Sequence, residues 1–471
     1  MSEIGIFVDF GSTYTKVVAF DLDEERIIGQ GRSVSTVKTD ITTGLKAALE
    51  RLEKDSRRKC VEEACVRLAC SSAAGGLRLA VIGLVPNLTV KAARLAALGA
   101  GAKVVGTYSY KLNRREIWEM EQLVPDIILL AGGTDGGNEE VIAHNAQMLT
   151  QSSLGAPIVV AGNKACADDI RGILESNGRY VTVVENVLGE LDKLNVEPSR
   201  AAIREIFMQR IVHAKGLDKA KELIDSIIMP TPMAALRSAE LLSVGAGDEK
   251  GLGELMVVDI GGATTDVHSI SHGYSKNQRV VRRGIPEPFA KRTVEGDLGI
   301  RYNALSILEE AGEVRVLENS LKSESLVDLE GRVRYLSEHI EAVPEKEDDR
   351  WLDIGLARTA LEIAVERHVG HLEQVFSPDG TIFIQFGKDL TDVINVIGTG
   401  GIFAYGQEPL AILEGALFSE ENPLLLKPKS PDFFIDRNYI LYAIGLLAEK
   451  APEKALRIGK KYLEKAYREI K

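Results

Sequence analysis

The stretch Val257-Val-Asp-Ile-Gly-Gly-Ala-Thr-Thr-Asp266 decides how the chain is read, because a near copy, Phe7-Val-Asp-Phe-Gly-Ser-Thr-Tyr-Thr-Lys16, stands about 250 residues earlier. In each, an apolar run ends at an aspartate, small residues follow, and a second run rich in β-branched residues begins. That pattern predicts a strand, a tight turn and a returning strand, with glycine accepting backbone angles that other residues resist. Such a turn exposes backbone N–H groups that hold phosphate oxygens, while the aspartate at the strand end can reach a hydrated Mg2+. Two loops of this kind can grip one nucleoside triphosphate from opposite sides.

A third glycine cluster, Gly398-Thr-Gly-Gly401, follows a short apolar run, Val393–Ile397, predicted to be a buried strand. Strand, glycines and then helix make a flat place where backbone can approach a planar ring or a phosphate. Alone the cluster is weak. Third in line after two aspartate loops, it becomes specific.

The intervening chain divides by texture. Strands are expected at 4–9, 15–20 and 26–31, then a helix over 41–54 capped by Asp40 or Thr42. From Val66 to about Asn186, short apolar runs alternate with helix-like segments, which is what a parallel sheet covered on both faces requires. Its loop Leu130-Ala-Gly-Gly-Thr-Asp-Gly-Gly-Asn138 leaves a strand end, where such sheets bind ligands, although a simple turn capped by Asn or Asp is the preferred reading. Residues 196–244 look helical throughout, broken at Gly216 and at Met229-Pro-Thr-Pro232, 267–271 and 278–283 continue a sheet, and 292–299 form a polar, glycine-rich approach to a helix over 300–311. The charged segment 313–350 shows no clear pattern, with 341–350 reading as a loop; residues 351–371 have helical periodicity, and two helices, 436–447 and 453–470, close the chain, the last with a basic face at Lys460, Lys461, Lys465 and Arg468. The expected division is 1–60 for the start of a first lobe, 61–190 for an inserted sheet, 191–250 for a helical connection, 251–435 for a second lobe and 436–471 for terminal helices.

Composition bounds the function classes. At 471 residues there is material for about three domains, and 45% hydrophobic with 27% charged residues is ordinary for a soluble protein. A formal charge of -12 argues against nucleic-acid backbone as the partner, and the basic run Lys276–Arg292 reads as a solvated strand face. No run approaches a membrane span and no signal segment is visible, so a cytoplasmic location is expected. Cys60, Cys65 and Cys70 fit neither one helical face nor C-x-x-C spacing, so burial is preferred over an iron–sulfur site. His268 reads as a structural residue, and His368 with His371 lacks a third ligand in view.

This order of motifs resembles the actin, seventy-kilodalton heat-shock chaperone and sugar kinase superfamily. The resemblance implies a two-lobed, actin-like α/β ATPase fold with duplicated ribonuclease-H-like lobes, here carrying an inserted Rossmann-like doubly wound sheet. It implies ATP with Mg2+ held through water by Asp9 and Asp259, and phosphates flanked by Gly11, Ser12, Thr13 and Lys16 on one side. On the other side stand Gly261, Gly262, Ala263 and Thr264, with Asp266 as a catalytic candidate. Glu295 and Gly296 would lie near the adenosine, as would Gly398, Thr399, Gly400 and Gly401.

From end to end the chain is also similar to the MutL/GlmL family, accessory proteins of the coenzyme-B12-dependent glutamate mutase and aminomutases. That likeness rests on Val8–Lys16, Pro125–Asn138, Asp259–His268, Arg292–Gly299 and Tyr439–Leu447. The name is shared with an unrelated mismatch-repair ATPase, which the acidic charge does not support. The family implies an ATP-driven chaperone that reactivates a mutase carrying damaged cobalamin; residues 66–186, the part a plain phosphotransferase does not need, are expected to supply the surface for the mutase subunits. The rival readings are a small-molecule kinase using Asp266 as base, an iron–sulfur activase of a radical dehydratase, and an actin-like scaffold.

Overall fold

The strand β1 (Ile4–Phe10) is buried at every position, so the sheet it leads is covered on both faces. The structure, a computed structural model, describes residues 3–467 apart from 12, 37–38, 73–76, 192, 212–219, 221–222, 278–279, 322–327 and 378–379. Its described residues form two compact units, Met1–Ala235 with Gly284–Pro288, and Leu236–Arg283 with Phe289–Lys471.

In the first unit, β1 pairs antiparallel with β2 (Tyr14–Asp21), and β2 with β3 (Arg26–Val34). The helix α1 (Ile41–Ser56) follows, its first turn capped by Asp40, whose side chain accepts from the Thr42 N–H at 2.9 Å. On the other side of β1 lies β4 (Ala64–Ser71), parallel to it. This corrects the expectation that the run at 66–70 opens the inserted sheet. A short apolar run carries no mark of its partner, and here the partner is some sixty residues away.

The inserted layer follows β4: β5 (Leu77–Gly83), α2 (Lys91–Gly99), β6 (Ala102–Ser109), α3 (Arg114–Leu123), β7 (Ile127–Leu130), α4 (Glu140–Thr150), β8 (Ile158–Val160), α5 (Ala167–Glu175) and β9 (Val181–Val183). All five strands are parallel, in the order β6-β5-β7-β8-β9. Helix α2 packs on one face, and α3, α4 and α5 on the other, so the layer is doubly wound. After α6 (Glu197–Ile206), the strand β10 (Ser226–Pro230) pairs with β4 and completes the order β10-β4-β1-β2-β3. The expected helical connection therefore contains a sheet strand; five residues are too few for periodicity to separate strand from helix.

The second unit repeats this topology. After α7 (Thr231–Val244) come β11 (Leu255–Ile260) and β12 (Thr265–Ile270), then β13 (Val280–Arg282) and β14 (Ala290–Glu295). Strands β11, β12 and β14 form the antiparallel meander. Residues 292–295, expected as the approach to a helix, are thus the third strand, whereas β13 joins a separate three-stranded sheet. Polar Lys291 and Arg292 disguise the strand, yet both are buried rather than solvated as expected.

The unplaced stretch after 313 is largely helical, in α8 (Ala304–Asn319), α9 (Leu329–Glu338) and α10 (Glu347–His368). The hairpin β15 (His371–Ser377) and β16 (Gly380–Phe386) precedes β17 (Asn395–Thr399), parallel to β11, then α11 (Gly401–Tyr405) and β18 (Asp432–Ile435). The strand order of the first unit, β3-β2-β1-β4-β10, thus recurs in the second as β14-β12-β11-β17-β18. Helix α12 (Leu441–Ala448) and α13 (Pro452–Tyr462) follow, and the expected last helix stops early because β19 (Glu464–Ala466) adds to β18; Arg468 lies outside the described residues.

Cys60, Cys70 and Cys166 are buried and Cys65 is exposed, against the expectation for Cys65. Among the described residues no helix is long and apolar enough to cross a membrane.

Helix and sheet of the first unit approach closely at Gly31, where a Cβ would collide with the backbone of Ala48 and Leu52 on α1. Gly31→Ala is expected to destabilise the chain by about 1–3 kcal/mol through overpacking. A lower urea midpoint with an unchanged slope in equilibrium unfolding checks this.

Candidate functional site

The first loop is closed by the Gly11 N–H donating to the Tyr14 carbonyl at 3.1 Å. A Cβ on Gly11 would stand 2.6 Å from that carbonyl, so the turn needs glycine. Asp9, at the end of β1, is 1% exposed. Burying a carboxylate is costly unless it is bonded, and here both oxygens are. Oδ1 accepts from Thr231 Oγ1 at 2.7 Å, and Oδ2 faces Lys16 Nζ at 3.4 Å. Beside it on β4 sits Cys70, its thiol 3.8 Å from Asp9 Oδ1. Burial pushes that thiol well up, and the neighbouring Asp9 charge adds to the effect. Gly11 and Thr13 are half-buried, and Ser12 lies outside the described residues.

The second loop has the same turn, Gly261 N–H to Thr264 carbonyl at 2.9 Å. Its carbonyls are all taken from inside. Gly261 accepts from Ile300 N–H at 3.2 Å, Gly262 from Arg301 at 3.0 Å and Tyr302 at 2.8 Å, and Ala263 from Asn303 Nδ2 at 2.7 Å. A trans peptide places its N–H opposite its carbonyl, so the N–H groups of Gly262, Ala263 and Thr264 face away from this brace. That concave set of donors suits an anion. The brace is anchored by Arg301, which binds Asp353 of α10 through two bonds of 2.9 and 2.8 Å. Gly299 permits the contact, since a Cβ there would overlap the backbone of Ala263.

The third motif converges on the same place. Gly400 has φ +107°, and a Cβ on it would lie 2.9 Å from Asp259 Oδ1 and overlap the Ile260 carbonyl. Gly401 is exposed, with open space where a side chain would stand. Asp259 itself is half-buried at the end of β11.

Other candidates face elsewhere. The Thr399 hydroxyl donates to buried Asp436 at 2.9 Å, which in turn accepts from the N–H groups of Ile440 and Leu441 at the start of α12. Gly398 packs on the Phe403 ring. Glu295 is held by Arg367 at 2.7 Å, with Asp297 and Glu310 on the same guanidinium, while the Gly296 carbonyl accepts from Asn303 Nδ2 at 2.9 Å. Asp266 has both oxygens engaged, by Arg292 and by Thr264 Oγ1.

Thr231, Arg292 and Asn303 are the residues that sequence reasoning missed. Thr231 sits in the Met229-Pro-Thr-Pro232 break and Arg292 within a quoted motif, but neither position announces a contact. His368 is fully buried, bonded to Thr293 Oγ1 and Ser269 Oγ at 2.8 Å each, while His371 begins a strand. Among the described residues no cluster of three or more metal ligands occurs.

His268, opposite Arg292, is fully buried, and burial pulls its imidazole down from 6.5 to about 4, with Arg292 adding to the shift and Asp266 opposing it. The unfolded chain therefore takes up a proton between those values that the folded chain refuses. This contribution to stability is complete above about pH 6.5 and is lost progressively as pH falls to about 4. His268→Phe is expected to reduce the difference in unfolding free energy between about pH 7 and about pH 5 by about 2 kcal/mol, read from urea titrations.

A family model described as MutL protein matches residues 5–463. The protein named MutL of Clostridium tetanomorphum is 49% identical over 460 residues, covering 98% of this chain and 99% of its own length. Among solved structures, nucleotide-free acetone carboxylase aligns with 14% identity and a TM-score of 0.40, over 95% of this chain and 70% of that one. Xylulose kinase from Bifidobacterium adolescentis aligns with 11% identity and a TM-score of 0.34, over 99% and 96%. With a family match and a relative of that identity both running nearly end to end, the chain belongs to the MutL protein family.

Proposed function

We propose that this protein binds and hydrolyses Mg-ATP and serves as an accessory chaperone that reactivates a coenzyme-B12-dependent mutase by promoting exchange of damaged cobalamin. The observation that carries the nucleotide part is the second loop, whose carbonyls are all consumed inside while its N–H groups face outward beside Asp259. Its twin supplies a buried carboxylate, a lysine and the same glycine turn.

The residues present fit the ligand. In the first unit Asp9 would serve a hydrated cation and Lys16 would offset phosphate charge; in the second Asp259 would serve a hydrated cation and the N–H groups of residues 262–264 would bind phosphate oxygens. Gly400 and Gly401 let backbone approach the nucleoside. Bound Mg-ATP supplies a cleavable phosphoanhydride and, with it, a change in the charge that the loops hold. Asp266, which a small-molecule kinase would use as its base, is tied to Arg292 and Thr264, and this favours hydrolysis over transfer to a metabolite. The mutase contact is assigned to the inserted layer, because the sheet β10-β4-β1-β2-β3 is complete without it.

Asp9→Ala and Asp259→Ala are each expected to lower Mg-dependent ATP turnover roughly 10–100-fold, as loss of a carboxylate that orders a hydrated cation does. Phosphate release by the purified protein measures this, and full turnover in both variants would remove the assignment. The chaperone part is checked with a cyanocobalamin-poisoned glutamate mutase or aminomutase. Activity should return with this protein, ATP and Mg2+ and adenosylcobalamin, and not with Asp259→Ala.

A further inference from the structure

On the sheet of the second unit, Arg292 of β14 stands directly opposite His268 of β12, yet its guanidinium reaches diagonally along the strand to Asp266. Nε lies 2.8 Å and Nη2 2.6 Å from the same oxygen, Oδ1. Both side chains are buried, 2% and 10% exposed. The other oxygen, Oδ2, accepts from the Thr264 hydroxyl at 3.0 Å. Two short links, both to the Asp266 carboxylate, thus join the sheet interior to the phosphate-type loop, and both are charge-assisted and therefore strong. His268 offers Arg292 no rival anion, and its ring nitrogens have no hydrogen-bond partner among the described residues.

The strand that carries Arg292 is itself anchored. On its opposite face Lys291 Nζ donates to the His368 carbonyl of α10 at 2.7 Å, and Thr293 Oγ1 bonds His368 Nδ1 at 2.8 Å. Arg292 therefore acts from a fixed base.

We infer that Arg292 is a positioning residue for the second loop: through Asp266 it fixes the Thr264 side chain, and with it the direction of the outward N–H groups. What the loop binds rests on the proposed function; the coupling from Arg292 to Thr264 does not. Arginine is needed because its planar fork places two N–H groups on one oxygen, whereas lysine brings a single point charge.

The test is hydrogen exchange of the peptide spanning 261–266, measured by mass spectrometry on the nucleotide-free protein. Arg292→Met and Thr264→Val should each speed exchange there roughly tenfold, since each removes a bond to a charged group. Arg292→Lys should fall between, and the Arg292→Met/Thr264→Val pair should add little to either single change, because both cut one chain. Exchange in residues 9–16 should not change. Additive effects, or equal acceleration in both loops, would overturn the inference.

Arg292→Met strands a buried carboxylate, so Asp266→Asn/Arg292→Met is the companion variant, in which both charges are gone. It should stay folded by thermal melt with a fast second loop, and a slow loop in that variant also overturns the idea. In parallel, Arg292→Met should weaken Mg-ATP binding roughly tenfold by calorimetry. If the unaltered protein binds no Mg-ATP, the proposed function fails while the exchange result stands by itself.

Discussion

Four consecutive carbonyls, those of residues 261–264, are satisfied from inside the chain, and the rest of the second unit is arranged so that this happens. Buried backbone acceptors must find donors, and the donors here come from one short segment, residues 300–303, together with the turn's own Gly261. The consequence is directional. With each carbonyl turned inward, the following N–H is turned out, and a turn of small residues presents a set of backbone donors suited to an anion without any cationic side chain.

Holding that segment in place requires buried charge, and buried charge has to be paired. Arg301 is tied to Asp353 on α10 by a two-pronged bond, and Arg292 to Asp266 across β12 and β14. Breaking either pair would leave one ion stranded in a low-dielectric interior, a cost of several kcal/mol, so the framework around the loop has little freedom to relax. The first unit solves the same turn differently. Its loop is braced by Ser35 N–H on the Thr13 carbonyl and by Ser72 on the Phe10 carbonyl, and its aspartate is buried between Thr231, Lys16 and the Cys70 thiol. Equal topology with unequal bracing gives one site whose donors are backbone and another whose chemistry is side chain.

Much of this was legible before any coordinates. The two aspartate turns, the meander after the first, the parallel inserted layer and a cap of α1 at Asp40 or Thr42 all follow from patterns local to ten or twenty residues. Misreadings fell where the local pattern was silent or misleading. Residues 226–230 and 290–295 are strands, the first too short to show a period and the second masked by Lys291 and Arg292, whose charges are buried by partners far along the chain. Thr399 sits inside a glycine motif yet turns its hydroxyl to Asp436.

The sequence by itself determined the kinds of turn and their order, because glycine, aspartate and β-branched residues restrict the backbone where they stand. Only the tertiary structure decided which sheet each short strand joins, which carboxylates are already spoken for, and which segment supplies the donors behind the loop. Those are pairings between residues tens to hundreds of positions apart, set by burial and hydrogen-bond satisfaction rather than by neighbours in sequence. No window along the chain contains both partners.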